Sequence, residues 1–485
     1  MADYDLIVIG SGPSGRRAAI QASKLGKTVL VVDKRPEVGG VSVHTGTIPS
    51  KTMRETVLNL TGWRERGFYG RAYRVKKDIT AADLMARTAK TLEHEVDVLE
   101  HQFSRNFVKT VSGSARFVSA HQIEVTAAAD GDVDIHGFGF AVIACGTRPF
   151  RPDYIPFNGI NVFDSDEILS IEKLPRSLAV IGAGVIGVEY ATIFSALDVA
   201  VTLIEPRPTF LDFIDKELLD EFIHELRDRN VSIRLGAEVS SVEIDPTGRP
   251  LCKIATGRNV SSDMLLFAAG RVGETDTLNL PAVGIDCDHR GRITVDPKTL
   301  QTSVPHIYAA GDVIGFPSLA STSMEQGRLA ACHAVGRAPP PAPEFFPYGI
   351  YSVPEISTVG MTEEEVRKRG IPYECGIARF RETSRGHIMG LQNGMMKMIF
   401  SKKTRRLLGV HIVGEGATEL VHIGQAVLNL KGTIDYFMEN TFNYPTLAEA
   451  YKIASLDAWN RAFAPSATAP GEPEILPAVA VAVDA

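Results

Sequence analysis

The chain has 485 residues, 44% of them hydrophobic and 22% charged, the balance of a water-soluble globular protein of about three domains. A formal net charge of −7 gives no general attraction for nucleic acid, and no apolar run approaches the roughly 18 residues of a membrane span. Five scattered cysteines (Cys145, Cys252, Cys287, Cys332, Cys375) have neither metal-ligand nor redox spacing and read as reduced thiols of a cytoplasmic protein.

The first element begins almost at the N-terminus, which leaves no room for a signal peptide. Asp5 to Ile9 is an apolar run of strand length leading into Gly10-Ser11-Gly12-Pro13-Ser14-Gly15, then a helical stretch from Arg16 to Leu25 and a second apolar run, Val29 to Val32, ending in Asp33. Strand, glycine turn, helix and strand in that order form the dinucleotide fingerprint: Gly10, Gly12 and Gly15 admit a pyrophosphate to the helix N-terminus, and Asp33 accepts from a ribose hydroxyl.

The segment Gly39-Gly40-Val41-Ser42-Val43-His44-Thr45-Gly46-Thr47-Ile48-Pro49-Ser50-Lys51 follows. It resembles the redox-active stretch of the flavin disulfide reductases (dihydrolipoamide dehydrogenase, glutathione reductase), which reads Gly-Gly-x-Cys-x-x-x-x-Cys-Ile-Pro-Ser-Lys. Ser42 and Thr47 stand where that family has its two thiols. A hydroxyl neither forms a disulfide nor supplies a thiolate at neutral pH, so thiol–disulfide exchange is excluded. His44, near the flavin by position, reads as a packing or hydrogen-bonding histidine rather than a proton relay.

A long helical stretch from Leu84 to Glu100 precedes Ala144-Cys145-Gly146-Thr147, which resembles the family's connection out of its FAD domain. The dinucleotide fingerprint then recurs at Leu178 to Gly187, with Gly182, Gly184 and Gly187 in the turn and Val201 to Ile204 leading to Glu205. In both copies the acidic residue follows the first glycine by 23 positions (10 to 33, 182 to 205), which sets the pair apart from two chance glycine turns. Ala268-Ala269-Gly270-Arg271 resembles the connection back, and Thr302 to Asp312 resembles the second FAD motif, in which the resemblance gives Asp312 the flavin's ribityl chain.

A Pro-rich break at 339–343 introduces residues 346–463, strands first and helices after, which the resemblance makes a dimerisation domain. Within it Lys402-Lys403-Thr404-Arg405-Arg406 lies between apolar runs and reads as a solvated hairpin turn. Near its end the family has His-x-His-Pro-Thr-x-x-Glu, whose second histidine serves the thiols of the partner subunit; here Phe442-Asn443-Tyr444-Pro445-Thr446-Leu447-Ala448-Glu449 puts Tyr444 at that histidine. Tyrosine, with an unperturbed pKa of about 10, is a poor proton carrier for thiol chemistry at pH 7. Thiols and base are absent together while the cofactor motifs are intact.

The expected fold is α/β: two Rossmann-like dinucleotide-binding domains, for FAD (1–155 and 276–345) and NAD(P) (156–275), plus a C-terminal α+β dimerisation domain (346–463) and a disordered tail (464–485). Without a dithiol, the simplest acceptor for electrons on the flavin is a second nicotinamide. That combination, with Gly46 to Lys51, Gly311 to Ala320 and Thr441 to Thr446, resembles the soluble pyridine nucleotide transhydrogenases, although those usually keep the first cysteine, here Ser42. The resemblance implies non-covalent FAD, NAD(H) and NADP(H) as substrates, no metal, a homodimer or larger homo-oligomer, and the reaction NADPH + NAD⁺ ⇌ NADP⁺ + NADH in ping-pong fashion through the reduced flavin. It also implies that Lys51 pairs with Glu189 beside the flavin, that Thr47, Tyr444 and Glu449 shape the reaction site, and that Gly146 and Gly270 flank the cofactors. Glu205 suits an unphosphorylated ribose, and Arg207 is the candidate for the 2′-phosphate of NADP. Two other readings stand beside this one: an NADH-preferring diaphorase or oxidase passing electrons to a quinone or oxygen, and a non-catalytic flavoprotein subunit.

Overall fold

The computed structural model describes residues 3–340 and 344–462, so the tail expected to be disordered lies outside the described residues. The strand Tyr4–Ile9 pairs in parallel with Val29–Asp33 on one side and Val133–Ile143 on the other. Lys109–Ser119 and Ile307–Ala309 add the outer parallel strands. Leu6, Ile7 and Val8 have no exposed surface, as expected of a central parallel strand covered on both faces. Beyond the parallel region Lys109–Ser119, Gln122–Ala127 and Val133–Ile143 continue as an antiparallel meander.

The second unit repeats the plan. Ser232–Leu235, Ala200–Glu205, Ser177–Ile181, Met264–Phe267 and Val162–Asp164 form a parallel sheet in that order, accompanied by a three-stranded antiparallel meander from Val239 to Ser261. The two chain crossings between the units lie side by side, Thr147–Pro149 antiparallel to Arg271–Gly273. In each unit the glycine turn leaves the end of a central strand where the chain's path reverses, the position at which open parallel sheets bind ligands.

Helix Pro13–Lys24 lies directly against helix Ala320–Ala334, because a Cβ on Gly327 would sit 1.9 Å from the Ser14 carbonyl oxygen. The long helix spans Ala81–Arg105, beyond the expected Leu84 to Glu100. A capping box between Thr80 and Asp83 starts it early, a signal separate from its apolar periodicity.

The C-terminal unit is an antiparallel sheet in the order Tyr348–Ile350, Ile356–Gly360, Leu407–Val413, Met395–Ser401, Tyr373–Arg379. The basic cluster forms the turn between Met395–Ser401 and Leu407–Val413. Helix Glu449–Ala462 closes on the sheet through Gly376, where a Cβ would meet the Ala454 carbonyl at 1.8 Å. Lys397, 1% exposed, ties this sheet to the second parallel unit through Asp215 (2.9 Å) and Glu217 (3.0 Å), and within its own unit it pairs with Glu363 (2.5 Å).

Candidate functional site

The two glycine turns divide their labour identically. Gly10 and Gly182 adopt φ of +104° and +100°, and a Cβ there would strike the carbonyl oxygens of Ala144 (2.3 Å) and Ala268 (2.7 Å). At Gly15 and Gly187 it would strike the turn itself, at 1.8 and 1.9 Å. These glycines are demanded by the fold. The middle ones are not: a Cβ on Gly12 has its nearest neighbour at 4.0 Å and one on Gly184 has none within 4 Å. Each middle glycine is the N-cap of its helix with no side chain capping the free N–H groups. The space kept bare beside these donors suits a pyrophosphate, so the residues fit a dinucleotide in both units.

Both acidic residues are already engaged within the protein. Asp33 Oδ2 accepts from the Ser11 backbone N–H (2.7 Å) and hydroxyl (2.6 Å), and Glu205 Oε2 accepts from the Ala183 N–H (2.8 Å). Each therefore holds its own glycine turn with one oxygen. The second oxygen differs: Asp33 Oδ1 accepts only the Arg35 backbone N–H (3.0 Å), whereas Glu205 Oε1 is gripped by the Arg207 side chain (2.7 Å). Burial opposes ionisation of Glu205, but the Arg207 hydrogen bond and two backbone N–H groups outweigh it and hold the carboxyl below its ordinary value. Arg207 also reaches Asp212, at 3.4 Å.

In the first unit a cleft of about 390 Å³ is lined by Gly12, Asp33, Ser42, Thr47, Gly146 and Asp312, bringing the N-terminal segment together with the connection at 146 and the distant Asp312. Burial raises the Asp312 carboxyl above its usual range against the opposing Arg271 charge. Cys145 also lines the cleft, but burial, reinforced by Glu274, pushes its thiol up to about 12, so it stays protonated and is no substitute nucleophile. All five cysteines are free. His44 Nε2 lies 3.0 Å from the Val38 carbonyl, the local hydrogen bond of a packing residue.

Lys51 Nζ meets Glu189 Oε2 at 2.6 Å, and Glu189 is 6% exposed. The sequence did not point to Tyr351. Its ring lies 5.1 Å from Lys51 Nζ, and its N–H donates to Glu189 Oε1 at 2.8 Å. Both Glu189 oxygens are thus engaged and the ammonium is held between a carboxylate and an aromatic face. Arg271 is a second missed residue: it joins the crossing strands through Thr147 (2.9 Å to Oγ1, 2.8 Å to the carbonyl) and pairs with Asp166 at 2.7 Å. Gly146 (φ +70°) and Gly270 (φ +126°) precede the two crossing strands, where only glycine readily turns the chain. Tyr444 and Glu449 do not line the cleft of their own chain. Tyr444 is 70% exposed with its hydroxyl 2.5 Å from Ser384, and Glu449 Oε2 is buried without a hydrogen-bond partner.

The family model described as pyridine nucleotide-disulphide oxidoreductase matches residues 4–327, and that family's dimerisation domain matches 346–455. The chain belongs to this family. It is 50% identical over 461 residues to the soluble pyridine nucleotide transhydrogenase of Mycobacterium bovis (strain BCG / Pasteur 1173P2), covering 95% of this chain and 98% of that one. The soluble pyridine nucleotide transhydrogenase of Shigella flexneri is 41% identical over 465 residues, covering 95% and 99%. Among solved structures, LpdA from Mycobacterium tuberculosis superposes with a TM-score of 0.85 at 25% identity over 93% of this chain and 99% of its own. The HOCl-induced flavoprotein disulfide reductase RclA from Escherichia coli does so with 0.83 at 25% identity, over the same shares. No helix among the described residues is long and apolar enough to cross a membrane.

Proposed function

We propose that this protein transfers reducing equivalents between NADPH and NAD⁺ as an FAD-dependent transhydrogenase, and that it does so without a redox disulfide. The observation that carries the reading is Ser42 and Thr47 lining the first cleft, with both glycine-turn units intact and Cys145 the cleft's one cysteine. FAD, when bound, supplies a reversible two-electron acceptor that one nicotinamide reduces and the other reoxidises. Gly10, Gly12, Gly15, Asp33, Gly146 and Asp312 hold it in residues 1–155 and 276–345. Gly182, Gly184, Gly187, Glu205 and Gly270 hold the nicotinamide nucleotide in residues 156–275.

Lys51, fixed by Glu189 and Tyr351, presents a positive charge that favours electron transfer into the site by preorganised electrostatics. Arg207 releases Glu205 to pair with the 2′-phosphate of NADPH, leaving Asp212 as an alternative anchor. The protein is a homo-oligomer built through residues 346–463, and we assign it as a homodimer in the cytoplasm. Tyr444 and Glu449 complete the nicotinamide pocket of a second subunit, with Thr47 opposite, which accounts for an exposed tyrosine and an unpartnered buried carboxylate oxygen.

Anaerobic stopped-flow tests the reading. Protein reduced by NADPH should regain its oxidised flavin spectrum on mixing with NAD⁺. If only a quinone or oxygen restores it, the protein is a diaphorase; if neither nicotinamide bleaches it, it is a non-catalytic flavoprotein.

A further inference from the structure

Ten buried side-chain polar atoms lack a hydrogen-bond partner among the described residues, and five of them belong to three residues that line one cleft remote from the glycine turns. They are Nε and Nη2 of Arg66, Nε and Nη1 of Arg229, and Oγ of Ser195. The cleft, of about 820 Å³, opens where the loop after helix Thr47–Leu60, the end of helix Lys216–Asp228 and loops of the C-terminal sheet meet.

Both guanidinium groups stack on Trp63, 4.8 Å (Arg66) and 5.0 Å (Arg229) from its ring centre. Arg229 donates once, to the Val353 carbonyl, and Arg66 has a single long contact of 3.6 Å to Asp198. Burial pushes Arg229 down to about 10; Glu225 opposes the shift and Arg66 adds to it. Burial likewise lowers Arg66, against Asp198 and with help from Arg74 and Arg71. The nearby acids compensate poorly. Burial raises the Glu225 carboxyl, and Glu415 is already held by Arg64 at 2.7 Å.

Buried donors without acceptors are costly, and native structures rarely leave several together. The free Nε–Nη2 fork of Arg66, the separate Nε and Nη1 donors of Arg229 and the Ser195 hydroxyl all belong to residues lining one cleft, and together match the several oxygens of a tetrahedral oxyanion. The volume exceeds what a bare ion needs and lies in the range of small-molecule sites. We propose that this cleft binds a phosphate-bearing small molecule through Arg66, Arg229 and Ser195, independently of the nicotinamide sites. The orphaned edges are closed to solvent as they stand; the loose Arg66–Asp198 contact is the one an entering anion replaces, turning the Arg66 fork into the cleft.

Calorimetric titration of FAD-loaded protein, with NAD⁺ saturating to cover the nicotinamide site and ionic strength matched with KCl, tests this. Inorganic phosphate, ribose 5-phosphate and ribose are the probes. Phosphate and ribose 5-phosphate should bind saturably and ribose should not; a preference for ribose 5-phosphate identifies an ester rather than free phosphate as the ligand. Arg229→Gln and Arg66→Gln should each weaken binding by about 10- to 100-fold, the worth of a charge-assisted hydrogen bond, and Arg207→Gln should leave it unchanged. Arg66 opens a four-residue helix, Arg66–Tyr69, and is less buried than Arg229, so its variant keeps the test open if Arg229→Gln does not fold. The proposal is overturned if the parent binds neither phosphate probe, if binding follows Arg207 instead, or if the two arginine variants dissociate the oligomer, which would make a second copy of the chain the missing acceptor.

Discussion

The two dinucleotide units share a plan down to the clash distances of their glycines, and they differ in how each acidic residue is left. Asp33 keeps its second oxygen free of any side chain, beside a cleft walled also by Asp312, Ser42 and Thr47. Glu205 has its second oxygen clamped by an arginine that has another carboxylate within reach. The first arrangement suits a ligand that stays, the second a ligand that is exchanged and comes in two forms. On the proposed function, one supersecondary unit serves as a cofactor site or a substrate site according to what surrounds its acidic residue.

The largest expected effects separate the glycines. Gly15→Val forces a Cβ into the Gly10 carbonyl and should prevent folding, read as loss of soluble protein. Gly12→Leu has room in the protein and should give folded protein largely devoid of flavin, whereas Gly184→Leu should keep full flavin and lose reduction by both nicotinamides. Full flavin in Gly12→Leu would break the comparison at its first term.

Next is Lys51→Met, which should slow flavin reduction by NADH and NADPH alike by about 10-fold or more, equivalent to about 1.4 kcal/mol or above. Unchanged rates would reduce the Lys51–Glu189 pair to a structural contact. Comparable in size but selective, Arg207→Ala should weaken NADPH by about 10- to 100-fold in the concentration dependence of flavin reduction while barely moving NADH. Glu205→Ala should do the reverse, weakening NADH and sparing NADPH, at some cost to the turn it holds through Ala183. Equal weakening of both nucleotides by Arg207→Ala would place the discrimination elsewhere.

The smallest effect is on stability. The folded Glu205 carboxyl titrates below its ordinary value, so its stabilising contribution is complete above the unfolded carboxyl's pKa of about 4.3 and is lost as pH falls through the lower folded value. Glu205→Gln should therefore lose stability relative to the parent at neutral pH and converge with it in acid, measured by thermal unfolding across that window.

Much of this was legible before any coordinates. The glycine triplets, the acids 23 residues on, the missing thiols and the Lys51–Glu189 pairing all follow local patterns or a family resemblance. What escaped arises from contacts between distant elements. Tyr351 reaches Glu189 from 162 positions away, just past the strand Tyr348–Ile350, and no periodicity marks it. Arg271 was visible as part of a connection, but its partner Asp166 lies 105 positions earlier. The acids' hold on their own glycine turns was hidden for another reason: an acidic residue at that spacing reads as a ribose acceptor, and nothing in the sequence marks the backbone N–H it accepts from. Trp63, Arg66 and Arg229 became a site only when three units closed around them.

The claim that the flavin acts without a dithiol is tested most directly by anaerobic reductive titration with NADH, following the spectrum from the visible to long wavelength. Reduction should finish after one two-electron equivalent per flavin, with no long-wavelength thiolate-to-flavin charge-transfer band at any point. Uptake of a second equivalent, or appearance of that band, would mean that a redox-active thiol pair exists in this chain and that the account is wrong.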